Sequence, residues 1–254
     1  MKIKFLGTGT SQGIPVIGSD HPVSRSEDPR DKRLRTSALV SWDDKTYLID
    51  CGPDFRQQML QANCTKIDAI LFTHEHAHHI AGLDDIRPYC YYQGAMPIYG
   101  LQRVLGALEQ RYGYIFATEN RYYGAPSVEQ HLVSENEVIA IDNHEIVPIT
   151  VHHGSITALG FRFRDLVYIT DAKEIEASEI EKIKRVKVLV VNALRVAPHP
   201  THFSLEDALA FIDLVKPERA YLIHIAQDLG FHKEVQNELP DGVFLAYDTL
   251  EIEI

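Results

Sequence analysis

Short apolar runs, each bounded by turn-forming residues, recur along the chain and predict strands. Residues 2–6 form the first, followed by the glycine-rich GTGTSQG. ALVSW and KTYLID are two more, joined by a turn at Asp43 and Asp44. Pro53 opens a helix that runs to about residue 62, with Phe55, Met59 and Leu60 available for one buried face. IDAILF is a continuous apolar strand. Residues 19–36 are polar and turn-rich and are expected as a loop. Residues 86–125 are expected as an irregular, tyrosine-rich insertion with one helix near 102–110. From about residue 131 strands return as EVIAI, EIVPITV, ALGFRF and LVYIT.

The last third alternates helix and strand. IEASEIEKI reads as a helix, VKVLVV and RAYLIHI as strands, QDLGFHKEVQNEL as a helix, and VFLAYDTLEIEI as two strands. SLEDALAFIDLVKP is the best-signalled helix. Ser204 and Asp207 form a capping-box-like start, Leu205, Ala208, Leu209, Ile212 and Val215 keep helical spacing, and Pro217 marks the stop. Two sheets packed face to face, with helices outside, would bury all these apolar faces in one domain over residues 1–254.

With 254 residues, 45% of them hydrophobic, the chain has enough material for such a core. A net charge of −11 argues against nucleic acid as the main partner, because a nucleic-acid binder needs a basic face. Cys51, Cys64 and Cys90 are odd in number and lack C-x-x-C spacing, which fits a reducing cytoplasm better than a disulfide framework. The N-terminal segment has no apolar core of a signal peptide, and no apolar run reaches the length of a membrane span.

LFTHEHAHHIAGLDD changes the picture. His74, His76, His78 and His79 crowd one turn directly after a buried strand. His74 and His76, at i and i+2, point the same way and would clasp one metal ion, leaving His78 and His79 for a second. A solvated histidine-rich turn is the bland alternative. His153, Asp171 and His224 sit where other strands should end, the place where open α/β sheets gather their ligands.

THEHAHHIAGLDD resembles the H-x-H-x-D-H signature of the metallo-β-lactamase superfamily. FLGTGTSQGIP, LIDCG, HHGSITALGFR, YITDA and YLIHI match the same family along nearly the whole chain. Order and spacing are most similar to the phosphoribosyl 1,2-cyclic phosphate phosphodiesterases. The resemblance implies an αββα four-layer sandwich with two divalent ions, zinc or manganese. His74, His76 and His153 would hold one, His78, His79 and His224 the other, and Asp171 would bridge them. His202 in HPTHF would reach the substrate phosphate or protonate the leaving group. Asp50 in LIDCG would orient the ligand loop, or serve only as a turn residue. The implied chemistry is hydrolysis of a small cyclic or organic phosphodiester by hydroxide held between the ions. Alternatives are a ribonuclease-Z-like nuclease, a thioester or carboxylic hydrolase, and, from another class, a catalytically weakened metal-binding module.

The chain departs from that pattern twice. His78 stands where the signature has aspartate. Two divalent ions, one carboxylate and one hydroxide would then total +2 rather than +1, and the extra imidazole favours zinc over manganese. We expect His78 still to coordinate, with some effect on catalysis. Secondly, the family's extra structural zinc uses three cysteines and a histidine, where this chain has Ser19, His21, Ser24 and Gln227. Those side chains make a poor zinc site, so no structural zinc is expected, and packing and hydrogen bonds must hold the 19–36 loop.

Gly7, Gly9 and Gly13 suit a tight turn near the metals, and no lysine follows in P-loop register. Arg87 would pair either a substrate phosphate or Asp84 or Asp85. The tyrosines at 89, 91, 92, 99, 112, 114, 122 and 123 would wall a substrate pocket, form a homodimer patch, or simply pack. No G-x-S-x-G elbow is present, which argues against a serine hydrolase of the α/β type.

Overall fold

A computed structural model describes residues 1–254. In chain order the elements are β1 (Lys2–Gly7), α1 (Pro22–Arg25), β2 (Ser37–Trp42), β3 (Lys45–Ile49), α2 (Phe55–Ala62), β4 (Ala69–Leu71), α3 (Ala77–Ile80), α4 (Arg87–Gln93), β5 (Met96–Gly100), α5 (Gln102–Arg111), α6 (Gly113–Phe116) and β6 (Val128–Leu132). Then follow β7 (Ile139–Ile141), β8 (His144–His153), β9 (Ile156–Phe163), β10 (Leu166–Tyr168), α7 (Ala177–Ile183), β11 (Val188–Asn192), α8 (Leu205–Val215), β12 (Arg219–Ile223), α9 (His232–Glu238), β13 (Val243–Leu245) and β14 (Glu251–Glu253).

The strands form two mixed sheets, ordered β14-β1-β2-β3-β4-β5-β6 and β13-β12-β11-β10-β9-β8-β7. Alternation along each strand divides the apolar residues between two cores. In β11, Val188 and Val190 face the core shared by the sheets, while Leu189 and Val191 face the core beneath α7, α8 and α9. In β12, Tyr221 and Ile223 take the first core, Ala220 and Leu222 the second. Each such valine, leucine or isoleucine contributes about 1.5–3 kcal/mol when buried. This is why β11 reads as an unbroken apolar run: both of its faces are covered.

Several local readings need correction. The 86–125 segment contains α4, β5, α5 and α6, and β5 is an interior strand between β4 and β6. In α2, Phe55 and Met59 are buried but Leu60 is exposed. Gln58 takes the inner face instead, its Nε2 donating to Arg35 O at 2.8 Å. The segment read as one helix from Gln227 is a short 3-10 turn and then α9, separated by Gly230 at φ 117°. The 19–36 loop holds α1 and a 3-10 turn. No helix is long and apolar enough to cross a membrane.

Hydrogen bonds secure that loop at the four positions singled out above. Ser19 Oγ and Ser24 Oγ both donate to Gln227 Oε1, at 2.9 and 2.8 Å. Ser19 Oγ also accepts from His21 N, and Ser24 Oγ from Val16 N.

Candidate metal centre

Six strands end at one rim of the sandwich, and the turns that follow them carry the candidate residues. β3 leads into Asp50, β4 into the histidine run, and β8 ends on His153. β10 leads to Asp171, β11 to the loop with His202, and β12 to His224. Asp50, Asp171 and His224 have φ of 61°, 57° and 56°, a left-handed conformation that L-residues adopt at a cost. The site thus stores backbone strain at three of its strand ends.

Asp171 is the hub. Its Oδ2 lies 3.2 Å from His202 Nε2, 3.3 Å from His224 Nε2, 3.8 Å from His74 Nε2 and from His78 Nε2, and 4.0 Å from His153 Nε2. Its Oδ1 is 3.4 Å from His79 Nε2. Three groups have the proximity that a single ion requires: His74, His76 and His153; His74, His78, His79 and Asp171; and His153, Asp171 and His202. His224 joins through its approach to the same carboxylate oxygen.

Outer hydrogen bonds set which ring nitrogen faces inward. His79 Nδ1 pairs with Asp50 Oδ2 at 2.6 Å. Thr73 N and Oγ1 both donate to Asp50, and Thr73 Oγ1 in turn faces His74 Nδ1 at 3.1 Å. His153 Nδ1 donates to Thr201 O at 2.7 Å. Asn192 clamps the turn behind Asp171, accepting from Ala172 N and donating to Ala172 O. The histidine turn rests directly on the Asp50 turn: a Cβ on Gly52 would lie 2.2 Å from His78 O, and one on Gly82 2.1 Å from Gly52 O. On the other side, residues 8–10 of the glycine loop pair with Ile225, next to His224.

Burial pushes His74 and His224 well below the usual imidazole range and lowers His76 and His153. His78 is pushed down to about 4 by burial and by the charge of His79. Burial alone would raise Asp171, but the imidazoles around it hold its carboxyl well below the usual value. His79 goes up to about 10, since the Asp50 and Asp171 carboxylates outweigh its burial. Apart from His79, which a cation would have to deprotonate, these are neutral imidazoles around an ionised carboxylate, as a cation needs from its ligands.

The residues fit a divalent ion on a second ground. His78 Nε2, His79 Nε2 and both ring nitrogens of His224 are buried without a hydrogen-bond partner. Each such nitrogen costs about 1–3 kcal/mol unless something meets its lone pair.

The Beta-lactamase superfamily domain model matches residues 45–225, which include every residue of this cluster. The chain belongs to the metallo-β-lactamase superfamily. Its histidine and aspartate cluster is a candidate divalent-metal site on that fold. It resembles a solved structure described as a new diphosphatase from the PhnP family, with 38% identity, a TM-score of 0.92, and coverage of 100% of this chain and 97% of that one. It is also 38% identical to the Octanoyltransferase of Porphyromonas gingivalis over 99% of this chain but 51% of that protein. A Ribonuclease Z of Methanococcus maripaludis is 28% identical over 65% of this chain and 49% of its own length. The chain therefore spans about half the length of these two relatives.

Arg87 is engaged away from the cluster. Its Nη2 donates to both Asp84 oxygens, at 2.7 and 2.9 Å, and to Tyr122 Oη at 2.7 Å. Tyr114 donates to the same Asp84, and Tyr112 to Ala81 O. These tyrosines brace the segment after the histidine run, while Tyr91, Tyr92 and Tyr123 are exposed. Thr73, Asn192 and Thr201 are structural partners of the site that the sequence reading missed. Asn192 had a signal: a lone polar residue closing an apolar strand.

Proposed function

We propose that this protein hydrolyses a small organic phosphoester, with a cyclic or acyclic phosphodiester as the favoured substrate and a diphosphate as a close variant. The observation that carries the reading is the convergence of His202 with five other imidazoles on the one carboxylate of Asp171. Support also comes from the likeness to the PhnP-family diphosphatase, which the chain matches nearly end to end. The net charge of −11 weighs against a long polyanion and hence against the nuclease reading.

In this proposal His74, His76 and His153 hold one ion, His78, His79 and His224 the other, and Asp171 faces both. When bound, such ions supply Lewis-acid stabilisation and lower the pKa of water. The protein's own part is orientation. Asp50 and Thr201 keep the Nε2 lone pairs of His79 and His153 turned inward. His202 presents Nε2 at the rim of the cluster, placed to stabilise a phosphoryl oxygen or to give a proton to the leaving oxygen. Exclusion of other donors matters as well. Arg87 is tied to Asp84, so recognition of phosphate falls to His202 and the ions.

The test is metal quantification on purified protein, with hydrolysis of bis(p-nitrophenyl) phosphate, a cyclic phosphodiester, a diphosphate diester, a tRNA precursor, an acyl thioester and a β-lactam. The expected result is turnover of the small phosphoesters, abolished by chelation and by Asp171→Asn. Turnover confined to thioester or lactam overturns the reading. Stoichiometric metal with no turnover at all indicates the metal-binding module.

A further inference from the structure

Four strands lie at sheet edges, and three of them are short. β7, β13 and β14 have three residues each, while β6 has five, Val128–Leu132. A short edge strand is one way a sheet avoids pairing with another chain, so β6 is the edge left open. Its register with β5 sets Met96 opposite Val128, Ile98 opposite Gln130 and Gly100 opposite Leu132. Met96 N donates to Ser127 O, and Val133 N to Gly100 O, so the odd-numbered residues of β6 bond to β5. The N–H and C=O groups of Val128, Gln130 and Leu132 point the other way and bond to nothing in the chain. Side chains alternate as well. Gln130 leans on α5, its Nε2 donating to Glu109 Oε1 at 2.8 Å, and Leu132 on the same side is 60% exposed. On the opposite side His131 stacks on Tyr99, 4.5 Å between centroids, and its Nε2 lies 3.3 Å from Glu129 Oε1.

We infer that β6 is a homodimer contact: a second copy of this chain lays its own β6 antiparallel to the first across a two-fold axis at Gln130. The two sheets that end on β6 would join into one of fourteen strands, seven from each copy. The sequence VEQHL is its own complement in that register. Val128 faces Leu132 of the second copy, Glu129 faces His131 of the second copy, and Gln130 faces its own equivalent. The unbonded groups of Val128, Gln130 and Leu132 all fall where antiparallel neighbours exchange both hydrogen bonds. Glu129 and His131 fall between them, where side chains approach most closely and an imidazole N–H can donate to the facing carboxylate. The neighbouring registers fail. An axis at Glu129 sets two carboxylates face to face, an axis at His131 two imidazoles, and neither brings Val128 against Leu132.

Sedimentation velocity over a concentration series up to about 200 μM tests this, because an edge of this length makes a small interface that dissociates on dilution. The wild type is expected as a reversible dimer. Gln130→Pro removes an N–H that has no partner within the chain, so the variant should keep its far-UV circular dichroism and urea midpoint while its dimerisation weakens about tenfold or more. The charge variants decide independently of the proline. Glu129→Lys sets a lysine against His131 of the second copy and should weaken the dimer about five- to tenfold, and adding His131→Glu should restore it by re-forming opposite pairs. Wild-type protein that stays monomeric across the series overturns the inference. So does a dimer that neither Gln130→Pro nor Glu129→Lys weakens, or one that the double variant fails to restore. A dimer dispersed by Tyr92→Ser and Tyr123→Ser places the contact on the exposed tyrosines and also overturns it.

Discussion

Asp50 Oδ2 and His79 Nδ1 are 2.6 Å apart at the floor of the metal centre, and both side chains are fully buried. The same carboxylate reaches His74 through Thr73. One aspartate thus aims imidazoles at both groups of ligands. In Asp50→Asn one of the two side-chain atoms becomes a donor, and it meets donors on both sides. Metal affinity should fall about 10- to 100-fold, as measured by competition with a chromophoric chelator. Asp50→Glu should not rescue it, since the longer side chain cannot occupy the same buried turn.

His78 is where the chain's chemistry departs from the signature, and its Nε2 is one of the orphaned buried nitrogens. We expect two ions per chain in the wild type, and a shift of preference from zinc toward manganese in His78→Asp, where an oxygen ligand replaces nitrogen. Metal analysis after dialysis against mixed zinc and manganese checks this. One ion in the wild type and two in the aspartate variant would show that His78 does not ligate.

Gly52 and Gly82 allow two turns to touch backbone to backbone. Gly82→Ala places a methyl group 2.1 Å from Gly52 O and 2.8 Å from Phe55 Cβ. Relief of that overlap must shift the turn that carries His78 and His79. The variant should lose about 3 kcal/mol in urea unfolding and bind metal more weakly, whereas Gly106→Ala, with open space around it, should not.

Apart from β5 and β6, the strands were legible from their apolar runs, and α8 from its capping box, in which Ser204 Oγ accepts from Asp207 N and Asp207 Oδ2 accepts from Ser204 N. The histidine run was legible because its spacing is local. β5 was not. Pro97 disguises it, and is tolerated because the paired register with β4 starts only at Ile98. Thr73 and Thr201 were invisible for a different reason. Each is an ordinary residue type whose role arises from a neighbour supplied by the fold, such as the bond from His153 to Thr201 across 48 positions.

Gln227 accepts from two serines that come from the far end of the sequence. Gln227→Leu leaves both hydroxyls without their acceptor. The expected cost is about 1–2 kcal/mol, with faster proteolysis between residues 19 and 26. Chelation of the wild type should leave that cleavage rate unchanged.

Stability should depend on pH through a buried histidine remote from the metals. His232 is pushed down to about 4 by burial and by Arg33, whose Nη2 lies 3.1 Å from its Nδ1. Between about 4 and 6.5 the unfolded chain binds a proton that the folded chain refuses, so this contribution grows as pH rises and is complete above 6.5. Asp248, raised by burial to about 6, acts the other way between 3.8 and 6, where the folded carboxyl keeps a proton that the unfolded one releases. His232→Asn isolates the first effect. On going from pH 7 to 4.5 the variant should lose about 1–3 kcal/mol less stability than the wild type, read from urea midpoints at each pH.

β1 runs toward the glycine loop at the metal rim, and antiparallel β14 runs away from it, with Ile254 N bonded to Met1 O. Both ends of the polypeptide therefore emerge side by side on the edge of a sheet, at the pole opposite the chemistry. A second module spliced onto either end would leave the mouth of the site clear.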